Sequence, residues 1–144
     1  MFNFEPIKND ELIRMGLDFD GVLAQLSKPP KYEMGEINEG TEWALNEMVK
    51  LGFKPHIFTA RPDPEYSHLE QWAEHYNLPI RGIRTGKPLF KWMPDDRAIE
   101  FDPTRPLLSW VRAIYIMKTG KLPWFVDLTE ILRVVGYPGD VRLK

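Results

Sequence analysis

The chain has no cysteine among its 144 residues. That excludes disulfides, thiolate nucleophiles and cysteine-based zinc or iron–sulfur centres in one step, and it fits a reducing compartment. No apolar run approaches the 18 or more residues needed to span a bilayer. The first ten residues carry Phe2, Phe4 and Ile7, but Glu5, Lys8, Asn9 and Asp10 break the charged-then-apolar layout of a signal peptide. Excess charge is missing too: 19 Lys and Arg against 21 Asp and Glu leave a formal net charge of −2, which gives no footing for strong non-specific nucleic-acid binding beyond a local basic patch. The three histidines, His56, His68 and His75, make no metal-ligand pattern. His68 and His75 lie seven apart on nearly one helix face without a third ligand, so structural or surface roles are expected. These absences point to a soluble, cytoplasmic protein with no membrane partner, a monomer or homodimer.

What is present is globular in kind. The chain is 43% hydrophobic and 28% charged, and its length is that of one domain able to bury a core without staples. Residues 12–19 alternate Ile13, Met15, Leu17 and Phe19, which predicts a first strand that Gly21 terminates. Residues 27–40 hold Pro29, Pro30 and two glycines and read as a loop. Ala44, Leu45, Met48 and Val49 recur at helical spacing over residues 39–51, with Thr41 as a cap and Gly52 as a stop.

Residues 53–59 turn to strand character. A second helix follows Pro64, with Leu69, Trp72, Ala73 and Tyr76 on one face and Pro79 beyond its end. Residues 80–84, 90–93 and 98–101 predict three more strands, 107–117 a helix, and 127–135 a last helix with Asp127 and Glu130 at capping-box spacing. Strand and helix alternate with crossovers of roughly 20 to 30 residues, which favours a three-layer, Rossmann-like α/β fold with a parallel sheet. One domain is expected over residues 1–144, with a core at about 12–118 and a C-terminal helical extension at about 119–144. The apolar stripe of that extension favours packing on the core.

In such folds ligands collect at the carboxyl ends of the strands. Asp18 and Asp20 stand at the end of the first strand, separated by Phe19. Alternation sends both carboxylates to one side, and a bend at Gly21 would lean one over the other. A strand end with an Asp-Gly turn is also common without function. Asp95 and Asp96 follow another predicted strand. Asp18 and Asp95, with the backbone carbonyl of Asp20, make a suitable protein share of an octahedral Mg²⁺ shell, while Asp96 serves through water or by orienting a ligand.

The segment Asp18-Phe19-Asp20-Gly21-Val22-Leu23 resembles the first motif of the haloacid dehalogenase-like superfamily. Ile57-Phe58-Thr59-Ala60-Arg61, then Lys87, then Asp95-Asp96-Arg97-Ala98-Ile99 follow in that family's order, so the resemblance spans residues 13–110 and is to its small stand-alone phosphatase-type members. The resemblance implies a Mg²⁺-dependent phosphomonoester hydrolase. Asp18 would be the nucleophile that forms an aspartyl-phosphate, Asp20 the general acid and then base, Thr59 a phosphoryl-oxygen ligand and Lys87 the neutralising cation. Lys91 rivals Lys87, which is preferred because Lys91 falls inside a predicted strand.

Arg61, next but one to Thr59, is placed to reach substrate, and Arg97 to pair with acidic residues and lock its loop; both guanidinium groups suit phosphate, with surface salt bridges the common alternative. A phosphorylated small molecule or nucleotide is the expected substrate, a nucleic-acid end an alternative, and a non-catalytic phosphate-binding module the competing reading. Only 17 residues separate Leu23 from Thr41, leaving little room for a cap over the site. Pro94 departs from the apolar residue usual before the acidic pair and removes a ladder N–H. Trp43, Trp72, Trp92, Trp110 and Trp124 are too dispersed for a stacking platform and read as packing residues, with Trp124 and Phe125 the best candidates for an exposed pair.

Overall fold

The computed structural model describes residues 13–26, 33–90, 93–139 and 141. Three strands form a parallel sheet in sequential order: β1 (Arg14–Leu17), β2 (Lys54–Phe58) and β3 (Gly82–Arg84). The register sets Leu17 opposite Ile57 and Ile57 opposite Ile83. Helix α1 (Thr41–Lys50) crosses from β1 to β2, and α2 (Tyr66–His75) from β2 to β3. Crossovers of one hand in a sequential sheet put both helices on the same side. Ala44, Leu45 and Met48 of α1 and Leu69, Trp72 and Ala73 of α2 are buried, as are Leu17 and Ile57 beneath them.

Helix α3 (Pro106–Thr119) packs on α1, and α4 (Leu128–Val135) packs on α3. Pro106 opens α3 where its missing N–H costs nothing, and Gly120 closes it in the left-handed conformation at φ 70°. The C-terminal stripe is an intramolecular contact: Ile131 and Val135 are buried, and Lys118 Nζ donates to the Val135 carbonyl at 3.2 Å. Among the described residues no helix is long and apolar enough to cross a membrane.

One polar chain ties this core to the end of β1. Trp110, 1% exposed in the middle of α3, donates its indole N–H to Thr41 Oγ1 at 3.0 Å, and that hydroxyl donates to the Leu23 carbonyl at 3.2 Å. Asn38 Nδ2 donates to the Val22 and Ala24 carbonyls at 3.0 and 3.1 Å. The turn after β1 thus has its backbone acceptors satisfied by Thr41 of α1 and by Asn38 in the segment before it, which a buried loop requires.

Several expectations are corrected. No strand forms at 98–101, and Phe90 and Met93 stand outside any strand, exposed; Lys91 and Trp92 lie outside the described residues, as do 1–12, 27–32, 140 and 142–144. In place of a fifth strand, Phe101 sets its ring edge-on to Trp110 at 4.8 Å, so the apolar alternation there reports burial without a ladder. The third strand shrinks to three residues. Thr41 is the first residue of α1 and not its cap; Gly40 holds that place at φ 91°, where a Cβ would meet Leu107 Cδ1 at 2.8 Å.

Asp127 does cap α4, accepting from Thr129 N at 2.7 Å, but Glu130 pairs with Arg133 instead of closing a capping box. The third layer is not seen among the described residues. On the face opposite the helices Arg14, Gly16, Lys54, Phe58 and Arg84 are all exposed.

Candidate active site

Asp18 and Asp20 follow directly on the last residue of β1, Leu17. Phe19 points away from them into the core, fully buried and edge-on to Trp72 at 4.8 Å. The chain then reverses: Ala24 N donates to the Phe19 carbonyl at 3.1 Å and Gly21 N to the Ala24 carbonyl at 2.8 Å. Gly21 sits at φ 84°, the left-handed region that glycine enters without a Cβ penalty. These turn bonds use the carbonyls of Phe19 and Ala24 and leave that of Asp20 outside them.

The carboxylates do not face one another unpaired; each has its own cation. Asp18 Oδ1 accepts the Phe19 N–H at 2.9 Å and lies 3.4 Å from Lys87 Nζ. Its side chain is 44% exposed, so the group opens to solvent at the carboxyl end of β1. Asp20 is gripped from both sides: Arg61 Nε donates to its Oδ2 at 2.9 Å and an Nη to its Oδ1 at 2.8 Å. The other Nη of Arg61 donates to Glu65 at 2.7 Å. The hydrogen bond to Asp20 is the main reason the Arg61 guanidinium is held above its ordinary pKa, against the opposing effect of burial and with Glu65 adding to it.

Lys87 reaches Asp18 because its loop is sewn to the end of β2. Thr59 N donates to the Arg84 carbonyl at 2.9 Å, extending the ladder one residue past Phe58. Lys87 N then donates to the Thr59 carbonyl at 2.9 Å, and Gly86 N to the Arg61 carbonyl at 2.8 Å. Lys87 Nζ also sits 5.1 Å from the centroid of the Phe58 ring, a cation–π contact that helps aim it. Lys91, its rival, lies outside the described residues, and the fourth strand expected around it is not formed at Phe90 or Met93.

Two sequence-predicted residues behave differently from the expectation. Thr59 is 1% exposed and its Oγ1 accepts the Arg61 N–H at 3.1 Å, a local turn bond that shapes the strand end. The same hydroxyl keeps its own hydrogen to donate. Arg61, expected at a substrate, has its side chain 9% exposed and committed to Asp20 and Glu65. It forms the salt bridges that are the common alternative to a phosphate contact.

No family model matches the chain, and no curated protein matches it. The crystal structure of a structural-genomics target from Vibrio cholerae is similar, with a TM-score of 0.52 and 21% identity over 85% of this chain and 96% of that one. The likeness is one of fold. It agrees with an α/β domain built on a parallel sheet.

Asp95, Asp96 and Arg97 are exposed in an irregular segment, where Asp95 Oδ1 accepts the Arg97 N–H at 2.8 Å. Among the described residues no three His, Asp or Glu side chains gather as a metal-holding group. In kind the donors suit Mg²⁺, because all are hard oxygens and Mg²⁺ needs only one or two carboxylates beside waters and phosphate. Asp18 and the Asp20 carbonyl stand in one turn and meet that need in part. Glu65 is the residue that sequence reading passes over. It ends a short 3-10 turn at Asp63–Glu65 that follows Arg61 and Pro62, and no helical spacing in the sequence signals the pair.

Proposed function

We propose that this chain is a Mg²⁺-dependent phosphomonoester hydrolase of the haloacid dehalogenase-like kind. The observation that carries the reading is the convergence of Asp18 and Lys87, 3.4 Å apart, at the carboxyl edge of a parallel sheet. An exposed carboxylate held beside an ammonium is a nucleophile with a built-in counter-charge for the phosphoryl group it attacks.

The reaction follows from these groups. A carboxylate oxygen of Asp18 attacks phosphorus as the bond to the leaving oxygen breaks, and Asp20 supplies the proton that the alcohol carries away. Water then attacks the aspartyl-phosphate, Asp20 takes a proton from it, and inorganic phosphate leaves with the Asp18 carboxylate restored. Lys87 offsets negative charge throughout, and Thr59 holds the turn beside it. Bound Mg²⁺, held by Asp18 and the Asp20 carbonyl with waters and phosphate completing its shell, would lower the repulsion between nucleophile and phosphate. For Asp20 to pass a proton, one of its two oxygens must leave Arg61.

That requirement supports a second reading, a phosphate-binding module without turnover, because Arg61 occupies both Asp20 oxygens. A screen of phosphomonoesters with Mg²⁺, covering sugar phosphates, nucleotides and phosphorylated DNA and RNA ends, separates the two. The hydrolase reading predicts turnover that falls by at least about a hundredfold in both Asp18→Asn and Asp20→Asn. Phosphate binding by folded protein without turnover anywhere in the screen decides for the binding module.

A further inference from the structure

The sheet face opposite the helices has, among the described residues, an organisation that the hydrolytic chemistry does not use. In register across the three strands stand Gly16, His56 and Gly82. Gly82 gives the His56 ring a flat bed, since a Cβ there would lie 2.6 Å from His56 Cδ2, and a Cβ on Gly16 would meet Phe58 at 3.7 Å. The ring is further fixed by Nδ1, 2.8 Å from the Lys54 carbonyl.

Cations collect around this bed although the chain as a whole is slightly acidic. At the amino edge a concavity is lined by Arg14, Lys54, His56 and Arg81. At the carboxyl edge Phe58 is 39% exposed, Arg84 stands opposite it in register and is also exposed, and Lys87 Nζ lies over its ring. Lys87 in turn lies 3.4 Å from Asp18, the proposed nucleophile. Four strand steps from Phe58 to Lys54 cover about 13 Å.

A phosphate site at one end, an exposed aromatic ring next to it and a basic depression beyond are the parts of a single-strand binding surface. Cations track the backbone, and a base can stack on the ring whatever its identity. An acidic peptide would use the cations and leave the ring idle. We propose that this face binds single-stranded nucleic acid, so that the phosphomonoester presented to Asp18 is the terminal phosphate of an oligonucleotide. The inference rests on the hydrolase reading for its terminal phosphate and on the sheet face alone for its polyanion.

The test is fluorescence anisotropy of labelled, terminally phosphorylated DNA and RNA single strands on the order of ten nucleotides long. It uses the Asp18→Asn protein, so that bound strands are not turned over. The track predicts binding tighter than that of a mononucleotide and an affinity falling with salt at a log–log slope near −0.7 per phosphate contacted. Replacing both cations in Lys54→Ala/Arg81→Ala should make the slope shallower by about 1.4. Phe58→Ala should weaken binding by roughly 5- to 100-fold, with circular dichroism confirming the fold of both variants.

The track is overturned if the strand binds no tighter than the mononucleotide, if both variants bind like the parent, or if an acidic phosphopeptide of equal charge displaces the strand equally well. Hydrolysis of p-nitrophenyl phosphate by the unmutated chain runs in parallel. Turnover there with no preference for the strand sinks the track and leaves the hydrolase. Strand binding through Lys54, Arg81 and Phe58 with no turnover of any phosphomonoester sinks the hydrolase and leaves the track.

Discussion

The pairing of Asp20 with Arg61 offers the sharpest quantitative check on the site. Removing the guanidinium in Arg61→Ala leaves Asp20 and Glu65 without their shared cation and takes away the group stacked 5.4 Å from the Phe19 ring. Breaking a fully buried pair from one side costs about 3–5 kcal/mol, and an exposed pair is worth about 0.2–1 kcal/mol. Here the Arg61 side chain is 9% exposed but the Asp20 side chain 31%, so solvent screens part of the attraction.

A loss of about 2 kcal/mol lies between those limits, and at about 2–4 °C per kcal/mol for a domain near this size it lowers Tm by roughly 4–8 °C. Asp20→Asn keeps one acceptor toward Arg61 and should cost about 1 kcal/mol. Urea unfolding of both single variants and of the double variant gives the coupling, expected at about 1 kcal/mol or more. Additivity within about 0.3 kcal/mol would refute the bidentate pair. The same data show that Asp20→Asn protein is folded, so that its loss of turnover is a chemical effect.

Thr41→Val should destabilise the chain by about 2–3 kcal/mol in urea, because the buried Trp110 indole N–H loses its acceptor and the Leu23 carbonyl a donor. Gly82→Ala should cost about 1–3 kcal/mol and shift the His56 ring resonances, since the new methyl lands 2.6 Å from Cδ2. For Glu47, burial pushes the carboxyl up, but hydrogen bonds from Lys50 and Lys118 outweigh it and the pKa is lowered from its ordinary value of 4.5. A depressed carboxyl contributes stability that is present above the unfolded pKa and lost as pH falls through the folded one. Tm scans below about pH 4.5 should therefore fall less steeply in Glu47→Gln than in the parent, and parallel scans would exclude the contribution.

Much of the half from β1 to β3 is legible in the sequence, since each element there obeys one period and ends at a residue with a physical reason to end it. Gly21, Gly52 and Gly136 all take positive φ where the patterns stop. The misreadings come where apolar residues serve another purpose. Leu89, Phe90 and Met93 are exposed, so their hydrophobicity marks no strand, and Phe101 is drawn in by Trp110 without backbone pairing. Thr41 looks like a cap because threonine often is one. Its hydroxyl is instead taken by Trp110, 69 residues away, and no local pattern encodes that partner.

The site divides the same way. The strand patterns suffice to put Asp18 and Asp20 just past the end of β1 and Thr59 just past the end of β2. That Arg61 closes on Asp20 across 41 residues depends on how the end of β2 turns, which the sequence does not display.

The central claim is that Asp18 is the nucleophile, and rapid-quench mass spectrometry during Mg²⁺-dependent turnover tests it most directly. The account predicts an acid-stable phosphoryl adduct on the peptide carrying Asp18, present in the unmutated chain and absent from Asp18→Asn, with turnover lost alongside it. Undiminished turnover in Asp18→Asn, or a phosphoryl group captured on another residue, would contradict it.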